Sequence, residues 1–177
     1  EQATRGMLSL TIQRIEQTLR SVEVATANME WMVYDRIDTP DSMYAVSRRL
    51  LETNPVISGS AVAFEPNYYP HKGVYYSPYT LRTADSLRSI QLGTADYEYH
   101  YMDWYQIPKL LDLPYWSDPY FDTGGGEMLM TTYSRPLHDH NGKLFAVFTA
   151  DISLEWLTEM VNGIRPYPNS YTLLIGR

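Results

Sequence analysis

No glycine or proline interrupts the chain between Met7 and Thr39, and the apolar residues of that stretch fall on one line. Leu8, Ile12, Ile15, Leu19, Val22, Thr26, Met29 and Val33 alternate steps of four and three, a heptad seam with one polar interruption at Thr26. Side chains at that spacing stack along one side of an α-helix, so the stretch predicts a helix on the order of 50 Å long at ~1.5 Å per residue. Asp38-Thr39-Pro40 ends it, and Pro40 opens a second helix through Ser47 to about Leu51. A seam of this kind either lies along its own domain or pairs with a second copy of the chain. So short a seam leaves both readings open.

From Pro55 the texture changes. Val56 to Phe64 reads as a buried strand and Gly73 to Ser77 as another, with turn residues Pro66, Asn67, Pro70 and Gly73 between them. Ile107 to Leu113 is a short helical piece, with Trp104 and Tyr105 just before it. Met128 to Pro136 alternates and stops at the proline. Asn141-Gly142 suits a type I′ hairpin turn, and Leu144 to Ala150 is the most convincing central strand. Asp151-Ile152-Ser153 leads into a helix from Leu154 to Asn162, capped by Ser153 and followed by Gly163, and Tyr171 to Ile175 predicts a last strand. Helices over residues 1–53, then strands with a late helix over 54–177, predict an α+β fold around a central antiparallel sheet.

Composition removes several function classes. Net charge is -7, from 21 acids against 14 bases, and no Lys/Arg cluster forms a stripe. Nucleic acid and anionic membrane surfaces need concentrated positive charge and are not expected partners. Cysteine is absent, which removes disulfides, thiolate nucleophiles and Cys-ligated metals together. No run approaches the roughly 18 apolar residues of a membrane span. The chain starts at Glu1 inside the helical pattern and stops at the strand-like YTLLIGR. It reads as a piece of a longer polypeptide, with any membrane anchors outside it.

Enzymatic readings come out poorly. Thr123-Gly124-Gly125-Gly126-Glu127 lacks the Lys-Ser/Thr of a phosphate loop and reads as a mobile loop. His138-Asp139-His140 sits on a hairpin tip, where a solvated turn is favoured over a metal site, and His71 and His100 are isolated. No serine has a sequence-local base. The sequence predicts no catalytic residue, no metal and no cofactor.

Binding has more support. Between Tyr97 and Asp122 the chain packs nine aromatic residues into 26 positions, with Asp103, Asp112, Asp118 and Asp122 threaded among them. Aromatic faces attract cations, and carboxylates accept the N–H donors of an ammonium. On composition alone, a Tyr-rich core with polar tips reaching solvent explains the same crowd.

The run WYQIP…YWSDPYFDTGGGEMLMTTYSRPLHDHNGKLFAVFTADISLEWL tips that balance. It resembles the double Cache (dCache) sensor domains, PAS-like extracytoplasmic input modules of bacterial chemoreceptors, histidine kinases and other signalling proteins. The likeness covers nearly the whole chain and implies the long helix plus the membrane-distal, ligand-binding subdomain of a periplasmic sensor region. Amino-acid binders of that family carry a tyrosine, an arginine, Trp-Tyr, Tyr-x-Asp and a later Asp. Tyr97, Trp104, Tyr105, Tyr120, Asp122 and Asp151 stand at the matching positions, with Tyr101, Met102, Tyr115, Asp118 and Tyr133 as further candidates. Met102 occupies the place of the arginine that grips the ligand carboxylate, a bidentate task that Met cannot perform. The resemblance therefore implies an amine or other small cation before an α-amino acid, and a homodimer through the N-terminal helix. The rival expectation is a structural or dimerisation module with no small ligand.

Overall fold

The computed structural model describes residues 2–162. The predicted strand at Tyr171–Ile175 and the Gly163 stop signal lie outside the described residues. Helix α1 (Gln2–Met29) is separated by a turn at Glu30 from α2 (Trp31–Asp35). A 3-10 turn at Pro40–Ser42 then leads into α3 (Met43–Thr53). The seam splits along its length. Leu19 and Met29 are half-buried while Val22, Thr26 and Val33 are buried in the domain, whereas Leu8 and Ile12 face solvent. Thr26, the polar interruption, turns its hydroxyl back onto the Val22 carbonyl at 2.7 Å, so its burial leaves no donor unpaired.

Seven strands form one antiparallel sheet. These are β1 (Gly59–Phe64), β2 (Pro78–Arg82), β3 (Leu87–Gln91), β4 (Tyr115–Trp116), β5 (Tyr120–Phe121), β6 (Leu129–His138) and β7 (Leu144–Ser153). The order is β3-β2-β1-β7-β6-β4, with β5 also pairing β6. As the sequence predicts, β7 is central, and the class is α+β. Period-two alternation divides its two faces. Val62, Phe64, Ala146, Phe148, Ala150 and Ile152 join Val46, Leu50 and Leu51 of α3 and Val22 of α1 in one core. Ala61, Ala63, Tyr79 and Val147 face the other way, beneath Tyr97, Tyr99, Trp104 and Tyr105. Helix α4 (Asp103–Leu111) covers that second face, and α5 (Leu154–Asn162) follows β7. The Ser153 hydroxyl accepts the Glu155 amide at 3.2 Å, the cap expected from sequence.

Four local expectations change. Residues 73–77 are not a strand; β2 begins at Pro78 and forms with β3 a hairpin that the sequence reading did not find. Trp104 and Tyr105 lie inside α4, which starts at Asp103 and carries Pro108 within it. β6 runs on through Pro136, paired with Val147, to His138. β4 ends beside Ser134, so Pro136 sits where β6 has lost its outer neighbour and behaves as an edge proline. The β6–β7 turn is not type I′, because only Gly142 has positive φ (76°) and Asn141 does not. Asp139 organises it, its carboxylate accepting the amides of Asn141 at 2.8 Å and Lys143 at 3.0 Å.

Candidate functional site

The site is built where three strands place small or polar residues on the face under α4. Asp151 of β7 is flanked in register by Gly59 of β1 and Thr132 of β6. A Cβ at position 59 would overlap the Tyr79 hydroxyl and the Asp151 carboxylate, so glycine here is what lets those two groups meet. Tyr79 Oη donates to Asp151 Oδ2 at 3.0 Å and Thr132 Oγ1 donates to Asp151 Oδ1 at 2.9 Å. Tyr120 Oη lies 2.8 Å from Thr132 Oγ1. With the Thr132 proton given to Asp151, Tyr120 is the donor there.

A second carboxylate faces the first. Asp122, just beyond β5, accepts the Tyr97 hydroxyl at 2.5 Å on Oδ1 and the Gly126 amide at 2.6 Å on Oδ2. The backbone carbonyl of Asp122 accepts the amides of Gly125 at 3.2 Å and Glu127 at 3.0 Å. The glycine run read as a mobile loop is therefore a wrapping around Asp122. A side chain at Gly125 would overlap that carboxylate, a requirement that no phosphate-loop pattern discloses.

Both carboxyls are buried, at 5% exposure for Asp122 and 4% for Asp151. Burial, followed by the neighbouring Asp122 charge, pushes the Asp151 carboxyl up to about 7 against the opposing hydrogen bonds of Thr132 and Tyr79. Burial also raises the phenols of Tyr79, Tyr97 and Tyr120, with the two acids adding to the shift, so all three stay protonated donors. The Trp104 indole N–H leans toward Tyr97, tempering that residue's shift, yet reaches no acceptor in hydrogen-bond geometry.

The expected residues divide into three groups. Tyr97, Trp104, Tyr120, Asp122 and Asp151 converge on one inner cleft together with Tyr79, Ala61, Leu92 and Thr149. Trp104 and Tyr120 also wall an outer pocket of about 370 Å³, where Tyr101, Met102, Tyr115 and Asp118 lie. Tyr105 and Tyr133 line neither. Tyr105 turns to Glu65, donating to Oε1 at 2.5 Å beside Lys109 Nζ at 2.7 Å, and so ties α4 to the end of β1. Tyr133 points to the helix side of the sheet, where it packs on Trp116 with centroids 5.2 Å apart. The pairing of odd-numbered β6 residues with the α1 side, as for Arg135 with Glu30 at 2.7 Å, excludes it from the cleft. Tyr79 and Thr132 were missed. Period-two counting from Asp151 and its partner strands would have flagged Thr132, whereas Tyr79 lay in a segment not recognised as a strand.

The inner cleft holds only about 10 Å³ of free space, roughly the least that admits one water. No Lys, Arg or His lines it or the outer pocket. Among the described residues, no three His, Asp or Glu side chains cluster to hold a metal ion. Two buried acids and four rings, with no basic side chain, enclose the cleft.

An antiparallel sheet with such a cleft on one face and a long helix on the other defines a PAS-like sensor domain. The chain belongs to the methyl-accepting chemotaxis protein-like family of first PDC sensor domains, whose family model matches residues 43–159. It is 29% identical over 144 residues to the methyl-accepting chemotaxis protein TlpQ of Pseudomonas aeruginosa, covering 68% of this chain and 20% of TlpQ. Among solved structures it is similar to the extracellular domain of soHK1S-Z6, with TM-score 0.69 and 31% identity over 88% of this chain and 60% of that one. The ligand-binding domain of the Campylobacter jejuni chemoreceptor Tlp3, in complex with L-valine, shares the fold at TM-score 0.69 and 15% identity, over 94% of this chain and 64% of that one. The chain thus spans a fifth of TlpQ and less than two thirds of these sensor domains. No helix among the described residues is long and apolar enough to cross a membrane.

Proposed function

We propose that this chain is the membrane-distal, ligand-binding module of a double Cache sensor region on the periplasmic side of a bacterial inner-membrane receptor, and that it recognises a small cationic amine. The observation that carries the reading is the enclosure of Asp122 and Asp151 by Tyr79, Tyr97, Trp104 and Tyr120 with no basic residue. A buried carboxylate pair seeks a positive charge, and the rings supply a second attraction of about 2 kcal/mol for a desolvated cation. An α-amino acid brings a carboxylate as well, and Met102 in the outer pocket offers it no partner. A relative such as Tlp3 in complex with L-valine marks the competing ligand class. Ligand in the cleft favours the arrangement of α4 and the β4–β5 segment that encloses it, a population shift rather than chemistry. The output beyond this module is a kinase, phosphatase or chemotaxis signalling domain.

Isothermal titration against panels of primary amines and amino acids tests the reading. Amines are expected to bind and amino acids to fail. Amino acids binding tightly while every amine fails would sink it. The small free volume of the cleft favours one rival, a structural module with a vestigial pocket. Asp122→Ala and Asp151→Ala separate the two, since a sensor loses ligand-induced thermal stabilisation and a structural module has none to lose.

A further inference from the structure

We propose that the Asp122–Asp151 pair holds one proton while the cleft is empty, which makes the cleft a proton-binding site that a cationic ligand must empty in order to bind. Two carboxylates share an enclosure with space for about one water, and every group facing them is neutral or acidic. From β2 comes the Tyr79 phenol, from the loop before α4 the Tyr97 phenol, and from β5 the Tyr120 phenol. β6 contributes the Thr132 hydroxyl, α4 the Trp104 indole, and β1 only Gly59 and Ala61. No Lys, Arg or His side chain lines the cleft.

Four hydrogen bonds reach the pair, and all four donors are uncharged. Neutral donors hold one buried carboxylate ionised well enough, as a carboxylate at a helix cap shows. A second negative charge in the same low-dielectric space finds neither a cation nor bulk water to offset it. A single proton on the pair removes that repulsion, and the elevation of the Asp151 carboxyl follows the same logic. Binding of an ammonium then exchanges one positive charge for another. The proton leaves to solvent as the amine enters, and the charge inside the cleft is unchanged.

Because it makes the proton the competitor of the amine, this inference rests on the amine reading. Its test uses no amine, so the two fail separately. The ligand-free protein, labelled with ¹³C at aspartate Cγ, is titrated by NMR from pH 4 to 9. One carboxyl of the pair is expected to titrate near pH 7, about three pH units above the ordinary aspartate value. Asp151→Asn assigns that signal by removing it. Asp122→Asn, which keeps the shape and deletes the like charge, is expected to lower the remaining midpoint by at least one pH unit. Both carboxyls ionising below pH 5 alongside the exposed aspartates would overturn the proposal, and so would a high midpoint that Asp122→Asn leaves unmoved. Should some variant fail to fold, the wild-type titration alone still decides between one retained proton and none.

Discussion

At the scale of single residues, the site depends on groups whose charge and size leave little freedom. Asp151 has a folded-state pKa raised to about 7 from 3.8, so between those values the folded protein binds more protons than the unfolded chain. Stability of the ligand-free domain therefore falls as pH rises from about 4 to about 7, by an upper limit on the order of 4 kcal/mol at roughly 1.4 kcal/mol per pH unit. Asp139, held below the usual carboxylate range by the amides of Lys143 and Asn141, acts below that window and in the opposite direction. Urea denaturation from pH 4.5 to 8 is expected to show the decline in wild type and a flatter profile in Asp151→Asn. A decline of equal slope in both would assign it elsewhere. Gly59→Ala is the complementary test of size. Its Cβ must displace Tyr79 or Asp151, an overpacking cost of about 1–3 kcal/mol with loss of ligand response, whereas alanine at the open Gly6 of α1 touches nothing. Denaturation and thermal-shift curves on the same samples check both effects.

At the scale of elements, long regular segments were legible and short irregular ones were not. The heptad spacing located α1 and α2, although the helix expected to run unbroken to Thr39 turns at Glu30 and ends at Asp35, and the run Leu144–Ala150 located β7. The hairpin β2–β3 escaped because Pro78 opens it and Thr80, Arg82, Arg88 and Ser89 dilute its apolar pattern. Asp122 and Asp151 could be chosen from resemblance, but Tyr79, Thr132 and the glycines of the Asp122 loop join them only through strand register and close backbone approach. The same division appears inside α1. Its seam from Leu19 to Met29, continued by Val33 of α2, is absorbed by the domain core, while Leu8, Leu10 and Ile12 stay exposed at 37%, 68% and 55%. That exposed half is the part available to a second copy. Leu8→Glu with Ile12→Glu is expected to leave thermal stability within about 1 kcal/mol, as for surface changes generally, and to shift sedimentation velocity from dimer toward monomer. A wild-type chain that sediments as a monomer at every concentration would remove the pairing.

At the scale of the whole molecule, the question is how a cleft on one face of the sheet reaches a helix on the other. The segment from Tyr115 to Asp122 is a piece of chain that touches both. Its residues Tyr115, Ser117, Asp118, Pro119 and Tyr120 line the outer pocket, and Trp116 turns through the sheet edge to the helix side. There the Trp116 indole donates to Glu23 Oε1 of α1 at 3.0 Å, and its ring packs on Tyr133. Tyr133 receives a hydrogen bond from Arg135 at 3.3 Å, and Arg135 is ion-paired with Glu30 at the break between α1 and α2. A ligand that draws Tyr120 and Asp122 around itself moves Trp116 with them, because only a few residues separate them on one short edge segment. Helix α1 is held to that segment by a hydrogen bond to a charged acceptor, of a kind contributing about 1.5–3 kcal/mol. The link is a physical path only if both ends respond together. Trp116→Phe keeps a ring against Tyr133 and deletes the donor to Glu23. Amine affinity is expected to change less than threefold in this variant, since Trp116 lines neither cavity. Hydrogen exchange of α1 amides around Glu23 is expected to slow on ligand addition in wild type and to stay unchanged in this variant. Ligand-induced protection of α1 that persists unchanged in Trp116→Phe would show that the signal crosses the sheet by another route.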